Sequence, residues 1–270
     1  MNQQIDPYFF TPTVSHPEYP LFVFLPGMDG TGELIHTQTE TLERCFDLRS
    51  LAIPPANKSN WDQLATDVIN LVRQEQAQKP NLPTYLCGES FGGCLALRVI
   101  EKAPNLFDRI ILVNPASSFH QRPFLAWGAV GTGLMPEPLY RSSTVLILPF
   151  LTAMGRIEPE DRRALLNAMK SVPPQTVHYR ISLLDQFRVD PKRLEAVTSP
   201  VLLLAGASDR MLPSQQEVQR LSHLFPASQV VILPNSGHTC LLERENRLCD
   251  ILKEANFLEK EAFDQFCAAS

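Results

Sequence analysis

The chain has 270 residues, 44% of them hydrophobic, and a net charge of −5. That length holds one large domain or two small ones, and the apolar fraction can fill a core without a disulfide or metal staple. The acidic balance leaves no electrostatic footprint for nucleic acid or anionic lipid headgroups.

The first twenty residues are punctuated by proline and read as an irregular or edge-strand lead-in. Met1 to Pro7 shows no basic stretch followed by an apolar core, so no secretory signal is expected. Leu21–Leu25 is a continuous apolar run, as a buried parallel strand should be. It ends in Pro26-Gly27-Met28-Asp29-Gly30-Thr31-Gly32, too glycine-rich for regular structure. Leu48–Ile53 reads as a second strand, stopped by Pro54-Pro55. Asn60 reads as a helix cap, followed by Trp61, Leu64, Ala65, Val68 and Val72 at helical spacing. Thr84–Gly88 is a strand and Phe91–Lys102 a helix. Arg109–Asn114, Val201–Gly206 and Gln229–Leu233 are further strands, with helices expected over Ser214–Leu224 and Cys240–Ala255.

Strands alternating with helices imply a parallel sheet covered on both faces, with ligands bound beyond the carboxyl ends of its strands. The alternation fails between Pro115 and Pro200, a stretch too long for a loop. Its first part, Pro123 to Met154, is strongly apolar, yet no run reaches the roughly 20 uninterrupted apolar residues of a membrane span. Two readings stay open. The segment is an ordinary helical insertion packed on the sheet, or a lid that offers an apolar surface to a lipid-like substrate. The six cysteines are scattered, without a Cys-x-x-Cys pair. Cys87 and Cys94 fall in buried elements and read as small core residues of a reducing compartment.

Gly88-Glu89-Ser90-Phe91-Gly92 matches G-x-S-x-G between a strand and a helix. The flanking glycines let the two arms approach closely, and Ser90 is left at the tip of the turn. It also opens a helix, where free N–H groups favour developing negative charge. A serine hydroxyl needs a base, so the motif alone is incomplete. Asp209 lies just past the Val201–Gly206 strand, and His238 just past Leu233. Singly, Asp209 reads as a turn or cap residue and His238 as a loop histidine. Jointly, Ser90, Asp209 and His238 stand in one order at one sheet edge, which points to a nucleophile, orienter and base. The oxyanion donors are expected to be the backbone N–H groups of Phe91 and Met28. Asp29 reads as a turn or cap residue. Asp185 follows no strand, and His16, His36, His120, His178 and His223 follow no suitable sheet edge. No turn exposes Cys240. The glycine-rich loop lacks the lysine of a phosphate loop, and no cluster has metal-ligand spacing, so neither cofactor nor metal is expected.

These residues resemble the α/β-hydrolase superfamily over most of the chain. Leu25–Gly32, Gly88–Leu97, Asn114–Phe119, Leu212–Gln215 and Ser236–Thr239 resemble the hydrolase part of the phytyl ester synthase (esterase/lipase/thioesterase) family of plastids and cyanobacteria. The resemblance implies an α/β-hydrolase fold: a mostly parallel central sheet, helices on both faces and a helical lid insertion. Residues 1–114 and 201–270 would form the core and 115–200 the insertion. It implies long-chain acyl groups, phytol or diacylglycerol acceptors, galactolipid or acyl-carrier donors, and work at thylakoid membranes. With no secretory signal or membrane span read in the sequence, a cytoplasmic location is expected. The family's plant members carry a second, acyltransferase-like region with an H-x-x-x-x-D motif, which this sequence lacks. The expected function is hydrolysis of hydrophobic esters through an acyl-serine. The alternatives are acyl transfer to an alcohol from the same intermediate, and a non-catalytic binding protein on the same scaffold. The expected partner is a hydrophobic ester, with peripheral membrane contact through the lid and none with nucleic acid.

Overall fold

The computed structural model describes residues 5–121, 137–153 and 155–258. A seven-stranded sheet runs in the order β1-β3-β2-β4-β5-β6-β7. Its strands are β1 (Tyr8–Phe10), β2 (Leu21–Leu25), β3 (Asp47–Ala52), β4 (Thr84–Glu89), β5 (Arg109–Val113), β6 (Val201–Gly206) and β7 (Ser228–Leu233). Short β1 pairs antiparallel with β3, and every other pairing is parallel. The lead-in thus supplies an edge strand.

The apolar runs are continuous because both sheet faces are covered. Leu21, Val23, Leu25, Leu86, Ile110, Leu112, Leu203 and Ala205 face one way. They meet α2 (Trp61–Ala77), α3 (Phe91–Lys102) and α8 (Ser214–Ser222). Phe22, Phe24, Tyr85, Cys87, Ile111, Val113, Leu202 and Leu204 face the other way, toward α1 (His36–Leu42) and α9 (Leu248–Glu254). The period-2 alternation of strand side chains produces these two cores. Cys87 and Cys94 are free and buried within them, whereas Cys45 is disulfide-bonded, so not every cysteine is a core thiol.

Asn60 caps α2 as its position predicts. Its Oδ1 accepts the Gln63 N–H at 2.9 Å, and Gln63 Oε1 accepts the Asn60 N–H at 2.9 Å. Two helical expectations change. The expected Cys240–Ala255 helix is a 3-10 turn, Cys240–Leu242, followed by the shorter α9. The side chains of Glu243 and Asn246 turn inward to bond the preceding loop, which stops a helix from running through. The 3-10 turn Glu33–Ile35 and α1 were not expected at all. The inward face of α1 is partly polar: buried Gln38 donates to Leu241 C=O and Asn246 C=O and accepts the Leu248 N–H, so the apolar period is broken.

Between β5 and β6 lie the 3-10 turn Ala116–Gln121 and helices α4 (Glu137–Leu151), α5 (Pro159–Ser171), α6 (Pro174–Gln186) and α7 (Pro191–Glu195). The apolar residues Phe124–Trp127, Leu134-Met135 and Met154 lie outside the described residues. No described helix is long and apolar enough to cross a membrane.

Candidate active site

The strand order locates the site. From β2 the chain moves to β3 on one side, then returns across β2 to β4 and continues outward to β7. The loops after β2 and β4 therefore diverge at the point of reversal, where parallel sheets open a crevice. The β2 loop carries Met28 and the β4 turn carries Ser90.

Two glycines permit this turn. A Cβ on Gly92 would fall 2.0 Å from the Leu25 carbonyl oxygen, and one on Gly88 would fall 2.4 Å from that of Gly92. Only bare backbone fits, so the start of α3 is pressed against the end of β2. Ser90 takes φ 54° and ψ −111°, outside the regions a side-chain-bearing residue normally occupies. The surroundings hold it there: its N–H donates to Val113 C=O at 3.0 Å, and its C=O accepts from Gly93 and Ala116.

Ser90 Oγ lies 2.8 Å from His238 Nε2, and His238 Nδ1 lies 2.7 Å from Asp209 Oδ2. The Asp209 carboxylate can only accept, so the proton sits on Nδ1 and Nε2 accepts from the serine hydroxyl. Asp209 is saturated by other donors. Its Oδ1 accepts the N–H groups of Met211 (2.8 Å) and Leu212 (3.0 Å), and its Oδ2 also accepts Ser214 Oγ at 2.5 Å. Burial pushes its pKa up, but the His238 charge and these hydrogen bonds outweigh burial and hold it below the ordinary value. For His238, burial alone would lower the pKa. The Asp209 charge and hydrogen bond, with a further contribution from Glu89, raise it above the ordinary value of 6.5.

Glu89 precedes the serine. Burial drives its carboxyl up to about 7, against the pull of His238 and with a push from Asp29, and its buried Oε1 has no hydrogen-bond partner among the described residues. Asp29 acts as a turn residue, its Oδ2 accepting the N–H and the Oγ1 of Thr31. Asp185 is exposed on α6.

Phe91 directly follows Ser90, and Met28 lies in the loop that leaves β2. Phe91 N–H opens α3 and has no helical carbonyl four residues back. Neither it nor the Met28 N–H bonds any of the described residues.

Sequence reasoning missed the residues that hold the His238 loop. Asn114, buried with φ 42°, directly follows β5. Its Nδ2 donates to His238 C=O (2.6 Å) and Gly237 C=O (3.2 Å), and its Oδ1 accepts the Gly206 N–H at 2.9 Å. One amide thus joins the ends of β5 and β6 to the histidine loop. Glu243 Oε1 accepts the Gly237 N–H at 2.7 Å, and its Oε2 takes Arg156 Nε at 2.7 Å. The signal for Asn114 was its place just past a strand at the same sheet edge. For Glu243 the sequence carried none.

A serine-histidine-aspartate line on loops at the carboxyl edge of a mostly parallel, doubly covered sheet defines an α/β-hydrolase enzyme. The family model described as serine aminopeptidase, S33 (Hydrolase_4) matches residues 55–245, and the chain belongs to that family. It is 33% identical to phytyl ester synthase 1, chloroplastic, of Arabidopsis thaliana over 87% of this chain and 36% of that protein. It thus spans about a third of that relative's length. It is 26% identical to a pimeloyl-[acyl-carrier protein] methyl ester esterase of Nitrosomonas europaea, over 75% of this chain and 82% of that one. The S. aureus MenH structure superposes with a TM-score of 0.75 at 18% identity, covering 94% of this chain and all of that one, which shows the shared fold.

Proposed function

We propose that the chain is a serine esterase that cleaves carboxylic esters of hydrophobic, lipid-like or phytyl substrates through an acyl-serine. The observation that carries this is the unbroken line from Ser90 Oγ through His238 to Asp209, at 2.8 and 2.7 Å. Ser90 attacks the ester carbonyl as its proton passes to His238 Nε2. Asp209 holds the imidazole tautomer and stabilises the imidazolium. The tetrahedral oxyanion takes the N–H groups of Met28 and Phe91. On collapse the ester C–O bond breaks and His238 protonates the departing alkoxide. His238 then deprotonates a water, which releases the acid and restores Ser90.

The names of the relatives support an ester over the amide bond of the family's description: one is a methyl ester esterase and another a phytyl ester synthase. We assign residues 115–200 as an insertion over a core of residues 1–114 and 201–270. Val145, Leu146, Ile147 and Phe150 on α4 are exposed, which supports an apolar acyl chain or a lipid surface as what this segment meets.

The test is a panel of p-nitrophenyl esters of graded acyl length beside p-nitroanilides, run on wild type and Ser90→Ala. Turnover should favour long-chain esters and fall about a million-fold in the variant. Equal ester cleavage by Ser90→Ala would refute the reading, and preferential anilide cleavage would move it to a peptidase. If added phytol diverts the acyl group from water, transfer replaces hydrolysis at the second step.

A further inference from the structure

Arg180, on α6 of the β5–β6 segment, is buried. Its Nη1 donates to Met28 C=O at 2.7 Å and Asp29 C=O at 3.0 Å. Its Nη2 donates to Ile53 C=O at 3.1 Å and Pro54 C=O at 3.3 Å. Among the described residues no carboxylate forms an ion pair with it. Burial lowers its pKa to about 10, with Asp29 opposing, so the guanidinium stays charged at neutral pH. A buried cation held by carbonyls instead of a counter-ion is costly, and a well-packed apolar residue would be the cheaper filler.

What the charge achieves is local. The four carbonyls belong to two loops, those after β2 and β3, and the fork spans both. Gly30 has φ 68°, and a Cβ there would fall 2.7 Å from Arg180 Nη1, so the loop is shaped to admit the guanidinium. The Met28 side chain packs against the cluster of Val172 and Val177, from the same segment. Thr176 Oγ1, also on α6, bonds Pro55 C=O at 2.8 Å. The β3 side bonds the carbonyls of Gly30 and Gly32, through Ile53 N–H and Ser50 Oγ, and the β5–β6 segment adds a second hold on the carbonyls of Met28 and Asp29 and on the Met28 side chain.

We infer that Arg180 is a positioning residue for the oxyanion hole, fixing the Met28 N–H by gripping the carbonyls of its loop. The inference rests on the assignment of Met28 as an oxyanion donor. Arg180 touches no reacting atom. It sets the loop before substrate arrives, which is what electrostatic preorganisation requires. The β5–β6 segment then contributes to the chemical step as well as to substrate access.

Three readouts test this on the full chain: steady-state kinetics with a soluble ester, the pH profile, and the rate of fluorophosphonate labelling of Ser90. Arg180→Lys keeps the charge but cannot span the carbonyls, and Arg180→Gln removes both. Each should lower kcat about 10- to 100-fold, with KM within about twofold, because the hole acts on the transition state. The acid limb of the pH profile should not move, since His238 is untouched. Labelling should slow in parallel, because the phosphonyl oxygen uses the same donors. Guanidinium ion should partly restore Arg180→Ala. Gly30→Ala approaches the contact from the loop side and should show the same kcat-specific loss. Folded Arg180→Lys, Arg180→Gln or Gly30→Ala protein with kcat within twofold of wild type overturns the inference. So does a loss that moves KM and the pH limb together. Ser90→Ala keeps the two readings apart. If it abolishes turnover while the Arg180 variants keep kcat within twofold of wild type, only the present inference fails. If it leaves turnover intact, the esterase reading fails first.

Discussion

At the scale of single residues, the site is a set of competing pKa pressures with a readable outcome. His238 acts as a base only when neutral, and its pKa is raised. kcat/KM for ester cleavage should therefore rise with pH along a limb centred above 6.5, the ordinary imidazole value. Asp209→Asn removes the dominant raising charge, so the limb should move down and turnover fall about 10³- to 10⁴-fold. Glu89→Gln removes a smaller raising charge and should move the limb down with little loss of turnover. A limb unmoved by both substitutions would assign it to another group. The convergence of Ser90, Asp209 and His238 was legible in the sequence because each follows an apolar strand and the G-x-S-x-G motif anchors the first. The pressure from Glu89 was not legible, since it depends on burial beside Asp29 and His238 rather than on spacing.

At the scale of elements, strands and their exit loops were readable while the supports between them were not. Apolar runs at Leu21, Thr84, Arg109 and Val201 announce parallel strands because both faces of the sheet are covered. The helix at His36 escaped because Gln38 stands buried where the apolar period would need an aliphatic residue. The supposed long helix from Cys240 failed because Glu243 and Asn246 bond the histidine loop. Asn114 is the most connected of these hidden supports. Asn114→Ala leaves the Gly206 N–H and the His238 and Gly237 carbonyls without their buried partner. It should destabilise the fold by about 1–3 kcal/mol. It should also lower kcat by about tenfold or more through misplacement of His238. Urea unfolding and steady-state kinetics on the same preparation would check both. Stability lost with kcat intact would make Asn114 a fold residue alone.

At the scale of the whole molecule, the sheet reversal sets the crevice, and α4 sets what lies beside it. Thr239, next to His238, bonds Leu151 C=O through its N–H at 3.0 Å and its Oγ1 at 3.2 Å. The exposed apolar residues of α4 thus share a helix with Leu151, which is bonded to the neighbour of His238. If that face meets a lipid surface, the chain should cosediment with neutral phosphatidylcholine vesicles. Leu146→Glu combined with Phe150→Glu should cut the bound fraction about tenfold, while cleavage of a short soluble ester stays at the wild-type rate. Equal sedimentation of both proteins would remove the membrane from the account.

The contorted backbone at Ser90 carries a cost that the hydroxyl does not repay in folding. Glycine adopts such torsion angles freely. Replacing Ser90 with glycine should therefore relieve about 1–3 kcal/mol of strain and raise the melting temperature by a few degrees. The result would be a protein sturdier than its parent and chemically inert. Selection for thermal endurance alone would erase this serine, so under the proposed function durability is surrendered here for reactivity.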